Sequence, residues 1–428
     1  MKHTNKTTFQ NLRKVIGPGL LFASSAIGTS HLVLSTRAGA HHGMIFFLII
    51  IGALILKYPF YEIGPRYANA TGFSLVKGYK GQGTWAVLLF LLIITINMFA
   101  VIGALGAVSA GLLATMMGLK GISIPLLAGI IIGISIFILL YGGYSGLDNL
   151  IKMISIVLLV TVVTAFISVL VNGPIEPVEN FKANSIFSGT GLTLLISLLG
   201  WMPAGMEAST MNSIWNIEKT KDTGYNPHLK EVLIDFNIGY IFSMMLALMF
   251  MIIGAFTVYG SGVLLEGNAT QFCSKLFDVF VSNLGNWSYY IIAIAAFGTI
   301  YGTLLTVLDA FPRCFIRALR ALRFETCEKT PEQISFLEKY YKWVLIVVGI
   351  GGFCLFYFSA SSMIKLLETA TILSFLFSPL IAFLNLRAIQ SSNIPSSHRL
   401  SNFMIVLAYL GLLAMIAFSI YYLVDLLK

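Results

Sequence analysis

The chain predicts an all-α integral membrane protein of about eleven transmembrane helices, one domain over residues 1–428, with its first and sixth spans interrupted. Three observations lead there. Hydrophobic residues make up 57% of the chain and charged residues only 11%, against about a quarter charged in soluble domains. Charge-poor runs of roughly 20 residues, long enough to cross about 30 Å of hydrocarbon, recur along the whole length. Two of these runs carry helix-weakening polar clusters near their centres, at Gly28-Thr29-Ser30-His31 and at Gly200-Trp201-Met202-Pro203-Ala204-Gly205-Met206-Glu207.

The runs, in order, cover Val15 to Ser35, Met44 to Ile63, Trp85 to Met117, Ile122 to Tyr141, Ile151 to Val171 and Leu192 to Ile214. The second group covers Leu233 to Tyr259, Trp287 to Ala310, Trp343 to Phe358, Leu366 to Asn385 and Phe403 to Leu427. The first run is longer than the apolar stretch of a signal peptide and is expected to stay in the membrane. Between the runs, the loops are short apart from Asn216 to Glu231, Gly260 to Asn286 and Arg313 to Lys342. Within the last, Glu325 to Tyr341 has charges at helical spacing and reads as a surface helix or connector.

The net charge of +9 suits lipid surfaces rather than nucleic acid once its distribution is considered. Placing the amino terminus in the cytoplasm puts 20 of the 27 lysines and arginines on the inner side, among them Arg313, Arg317, Arg320 and Arg323. The opposite side receives only Arg37, Lys120, Lys182, Lys275, Lys365 and Lys428, and Lys57 falls inside the second span. The expected location is therefore a cell inner (plasma) membrane, with the amino terminus cytoplasmic and the carboxyl terminus outside. Cys273, Cys314, Cys327 and Cys354 lack metal-ligand or disulfide-framework spacing. No paired nucleophile and base, phosphate loop or ligand-spaced cluster points to an enzyme, and no cofactor is expected.

Proline removes a backbone donor and clashes with the turn before it, so the sixth span is predicted to unwind around Pro203. Two broken helices five spans apart are what a five-plus-five inverted repeat gives, with solute bound where the breaks meet. The halves would be residues 13–172 and 188–388, with an extra helix at 402–427. The broken ends offer N–H groups and carbonyls to a solute without any charged side chain. Substrate-binding candidates are Gly28, Thr29, Ser30 and His31 from the first break, and Met202, Ala204, Gly205 and Glu207 from the second.

Glu207 is the one carboxylate close to the second break. It is suited to a coupling cation, a proton or a solute amine, or simply to stabilising the amino terminus of the resumed helix. Asp235, Asp309 and Glu368, and the pairs Lys57 with Glu62 and Lys365 with Glu368, are expected near the membrane margins. His41 and His42 are expected in an exposed loop. Asn212 and Asn237 are candidates for interhelical bonds or for lining the path.

At its two breaks the chain resembles the Nramp family of divalent-metal transporters, which have the LeuT-type inverted-repeat fold. The resemblance runs through Gly17-Pro18, Arg37-Ala38-Gly39-Ala40, Gly43 and Ala70-Thr71-Gly72, and resumes at Met202-Pro203. Where the family has Asp-Pro-Gly-Asn, with the Asp and Asn side chains ligating metal, this chain has Gly28, Thr29, Ser30 and His31. Where the family has Met-Pro-His it has Met202, Pro203 and Ala204, and Ser209 replaces a further histidine linked to proton movement. Asn97 and Ala100 stand where the third helix of the family carries the acids of a proton route.

The resemblance thus implies an inherited scaffold with its metal and proton residues replaced. A neutral site gives a divalent ion little return for its lost water. The expectation is a secondary transporter of a small solute other than the usual transition-metal ion, with Asn97, Ser209 and Asn237 as coupling or path candidates. A divalent-metal transporter with another ligand set, drawing on His31 and the Met202 sulfur, is the alternative. A non-transporting membrane sensor is the other. The expected partners are an ion or small-molecule substrate and membrane lipid.

Overall fold

The computed structural model describes residues 14–427 except 120, 179–180, 182–184, 263–264, 266–268, 287–288, 325–329 and 360–362. Cys327 and the cations Lys2, Lys6, Arg13, Lys120, Lys182, Lys329 and Lys428 lie outside the described residues. Everything regular among the described residues is helical. The first span is α1 (Pro18–Ala26), a π-helical turn (Ser30–Ser35) and α2 (Thr36–His42), bent by 45°. Then come α3 (Ile45–Thr71), the short α4 (Leu75–Gln82), α5 (Thr84–Met116) and the helical run α6 (Ile124–Asn172), which carries the fourth and fifth spans, Ile124–Gly142 and Gly146–Asn172.

The sixth span is divided into α7 (Gly189–Trp201) and α8 (Ala208–Thr223). It is followed by α9 (Leu229–Thr257), α10 (Ala269–Leu284), α11 (Tyr289–Arg323), α12 (Pro331–Ser359), α13 (Met363–Ile389) and α14 (Asn402–Leu426). Nine described helices are long and apolar enough to cross a membrane, and the bent first pair makes a tenth. The eleventh expected span is the divided sixth, whose pieces of 13 and 16 residues are each too short to count as a span alone.

Two loop expectations are corrected. The stretch read as a connector ending at Tyr341 belongs from Pro331 onward to α12, so those charges begin a spanning helix. The loop from Gly260 to Asn286 contains α10, which tucks Cys273, Leu276 and Phe277 against α5 and α6. His41 and His42 also differ from expectation, since they close α2 rather than sitting in a loop. His42 is buried, its ring 5.3 Å from that of Phe46.

The broken helices are held by unbroken ones. Along its length α9 packs on all three pieces of the first span, α3 packs on α8, and α13 on α7. Contact between α1 and α9 is close because glycines face each other there. A Cβ on Gly19 would lie 2.0 Å from the Asp235 carbonyl oxygen, and one on Gly239 1.9 Å from the Gly19 carbonyl oxygen. Small residues at such crossings let backbones approach within van der Waals contact, the main attraction available between helices in lipid.

The start of α1 is capped from across that contact. Helix amino termini leave N–H groups without intrahelical partners, and here Asp235 on α9 accepts from Gly17 N at 3.0 Å and Gly19 N at 2.7 Å. Asp235 was expected at a membrane margin, but it is buried and joins two spans.

Candidate solute site between two broken helices

In the first break the helical ladder lapses after Ala26 and resumes as the π-helical turn. Ser30 Oγ donates to the Ala26 carbonyl (2.6 Å) and lies 2.7 Å from His31 Nδ1. His31 Nε2 sits 3.0 Å from both the carbonyl oxygen and the hydroxyl of Ser243 on α9. The imidazole, fully buried, therefore fastens the turn to α9 and is used up by protein partners. Thr29, beside it, keeps its hydroxyl unpartnered although it is buried.

In the second break α7 stops at Trp201, and a helix that stops inside protein exposes carbonyls at the negative end of its dipole. Lys57 on α3 occupies them. Its ammonium donates to the carbonyl oxygens of Leu199 at 2.5 Å and Met202 at 3.2 Å, and only 3% of the residue is exposed. One turn further along α3, the Tyr61 hydroxyl donates to the Ala204 carbonyl. Two side chains on one face of α3 thus satisfy the unwound segment, which is the compensation a break in a membrane helix needs.

Glu207 follows at the head of α8. Asn97 Nδ2 on α5 donates to its Oε1 at 3.3 Å, while Oε2 is buried without a hydrogen-bond partner. The carboxylate folds back over Gly205, where a Cβ would lie 2.5 Å from Oε1. Lys57 is near enough to Glu207 to interact with it electrostatically.

Between the breaks lies a small cavity of about 40 Å³. Its wall includes Gly28, Thr29 and Ser30 from the first break, and Ala204, Gly205 and Glu207 from the second. Val101, Leu105, Trp201, Met211, Val307 and Phe311 make much of the rest. Glu207 is the only formally charged side chain among the lining residues. No group of three or more His, Cys, Asp or Glu placed to hold a metal ion occurs among the described residues.

The family model described as natural resistance-associated macrophage protein-like (Nramp) matches residues 19–425. The chain belongs to the Nramp family. An uncharacterized protein of Pasteurella multocida (strain Pm70) is 31% identical over 425 residues, covering 98% of this chain and 94% of that one. Among solved structures, the Eremococcus coleocola manganese transporter in complex with an aromatic bis-isothiourea compound superposes with a TM-score of 0.70 at 13% identity, over 97% of this chain and 87% of that one. MhsT in complex with L-phenylalanine gives 0.61 at 13% identity, over 95% and 97%. The nucleobase-cation-symport-1 family transporter Mhp1 gives 0.59 at 14% identity, over 96% and 91%. The fold is therefore of the LeuT type, and the chain is a multi-pass membrane transporter of the Nramp family.

Of the residues singled out from the Nramp chain's sequence, Gly28, Thr29, Ser30, Ala204, Gly205 and Glu207 meet at one cavity. His31 and Met202 are not on its wall; the imidazole is turned to Ser243, and Met202 is fully buried. Asn97 reaches the site through Glu207. Ser209 accepts from Asn385 at 2.7 Å in a buried network that extends to Tyr79, and Asn237 accepts from Tyr58 at 2.6 Å between α3 and α9. Asn212 donates to the Pro18 carbonyl (3.1 Å), joining α8 to α1.

The expected pairing of Lys57 with Glu62 is corrected. Glu62 pairs with Arg66 and leaves Lys57 to the broken helix. A lone cation midway along an apolar run was the available signal for Lys57, and its partners, being backbone carbonyls, left none. Glu368 likewise pairs with Arg37 at 2.9 Å, rather than with Lys365.

Ion pairs join helices of the Nramp chain on both sides of the cavity. On the His42 side Arg37 of α2 meets Glu368 of α13, and on the Gly17 side Lys219 of α8 meets Asp148 of α6 at 2.7 Å. With the native cysteines replaced, a cysteine at Ala204 is expected to react with a water-soluble maleimide severalfold faster in Arg37→Gln. Glu368→Gln should do the same, and the double variant no more than either. Unchanged labelling in both would show that the pair does not hold the cavity shut.

Proposed function

We propose that this Nramp-family chain is a secondary transporter whose cavity takes a small organic solute in place of a bare transition-metal ion. The observation that carries this is Lys57. Its ammonium already holds the carbonyls at the end of α7, oxygens that an unwound helix otherwise offers to a cation. Replacing the hydration shell of a divalent ion takes about six oxygen ligands. The cavity wall offers one carboxylate and a few hydroxyls. Apolar side chains over much of the remaining wall suit the body of an organic molecule.

Gradient-driven transport fits two closures flanking one cavity. With the amino terminus in the cytoplasm, as the lysine and arginine distribution favours, the Lys219–Asp148 closure is the inner one and the Arg37–Glu368 closure the outer. The carboxyl terminus is then outside.

The second reading is a divalent-cation carrier, favoured by the free Glu207 Oε2 and by the manganese transporter among its structural neighbours. Uptake into liposomes containing the purified protein separates the two. The expected result is background uptake of labelled manganese and concentrative uptake of at least one member of a panel of amines, amino acids and carboxylates. Saturable manganese uptake that Glu207→Gln abolishes would overturn the proposal.

A further inference from the structure

We propose that the solute recognised in this cavity carries a primary ammonium group on a compact apolar body, with Glu207 Oε2 and Thr29 Oγ1 as its acceptors. This rests on the reading of the cavity as the solute site and adds the chemistry of the solute. Both residues line the cavity and are at least nine-tenths buried, and neither of these atoms has a hydrogen-bond partner. A buried acceptor left unmade is expensive, by about 1–3 kcal/mol and more when charged, so two at one cavity wall define the groups a ligand must bring. It must bring donors.

The number and kind of acceptors select the donor. The other oxygen of Glu207 is held by Asn97, which aims the carboxylate and leaves a single free oxygen rather than the bidentate pair that a guanidinium would match. The Thr29 hydroxyl can accept a second bond, and an ammonium is a compact charge with three donors. Ser25 and Ala26, at the carboxyl end of α1, also line the cavity, and that negative dipole end favours a cation. Nothing on the wall gives a solute carboxylate a cationic side chain to meet, since Lys57 is turned to the end of α7. Val101, Leu105, Val307 and Phe311 then enclose an apolar body.

The test uses full-length protein in detergent, titrated by calorimetry and thermal shift with n-butylammonium chloride, n-butanol, butyltrimethylammonium chloride, sodium butyrate and manganese chloride. The expected result is binding of n-butylammonium only. Affinity should fall at least about tenfold in Glu207→Gln, and by a smaller factor in Thr29→Val, since a charged hydrogen bond is lost in the first and a neutral one in the second. Equal binding of n-butanol or the trimethylated amine, or amine binding unaltered by Glu207→Gln, would overturn the ammonium assignment. Glu207-dependent binding of butyrate would reject the assignment while leaving organic transport standing. Glu207-dependent binding of manganese would bring down both. Should Glu207→Gln fail to give a monodisperse protein, Thr29→Val and the amine-to-alcohol comparison on the unaltered chain decide.

Discussion

Lys57→Gln is expected to destabilise the protein strongly and, at the same time, to make it responsive to divalent cations. The ammonium donates two bonds to carbonyls at the end of α7. Hydrogen bonds to charged groups contribute about 1.5–3 kcal/mol each. The shorter, neutral glutamine cannot replace both, so the melting temperature should fall by several degrees. Without the ammonium, the Leu199 and Met202 carbonyls and Glu207 form an uncompensated group of oxygens. Millimolar manganese should then raise the melting temperature of the variant while leaving that of the unaltered protein in place. A variant that melts like the parent would show that the α7 end does not depend on Lys57. A parent protein that manganese itself stabilises would show that the ammonium does not exclude the metal.

Gly239→Ala should be among the most damaging single methyl additions in the core. Its Cβ would fall 1.9 Å from the Gly19 carbonyl oxygen, and backbone cannot yield as the tip of a side chain can. Overpacking typically costs about 1–3 kcal/mol, and more where nothing can shift. Pushing α9 away from α1 also draws Asp235 off the Gly17 and Gly19 amides, so the cap on the first broken helix is lost with the contact. The expected outcome is a marked drop in yield of monodisperse protein and in melting temperature. Gly133→Ala, at a position with open space around it, should leave both unchanged. Equal behaviour of the two variants would mean that the crossing tolerates separation.

Much of this architecture was legible in the chain because membrane helices are written in composition. Runs such as Trp85 to Met117 announce themselves by length and lack of charge, and the breaks at Gly28 and Pro203 by residues that helices resist. The division of the sixth span, and the meeting of Thr29 with Glu207 across one cavity, followed from the spacing of those breaks. His31 read as a ligand because an imidazole at that depth needs partners. The partners turned out to be Ser30 and Ser243, and a contact 212 residues distant in sequence leaves no local mark.

Lys57, Asp235 and Glu368 were placed at membrane margins, where a lone charge is cheapest, with Glu62 and Lys365 as the nearest sequence partners. The sequence by itself determined the spans and the two interruptions, since each depends on local hydropathy and backbone preference, while the family scaffold was implied by the resemblance of its motifs. Only the tertiary structure decided what the buried charges do. The carbonyls of Leu199 and Met202, the amides of Gly17 and Gly19 and the guanidinium of Arg37 are supplied by other helices. A buried charge is stabilised by whatever the fold brings within about 3 Å of it, and that proximity is a property of packing rather than of order along the chain.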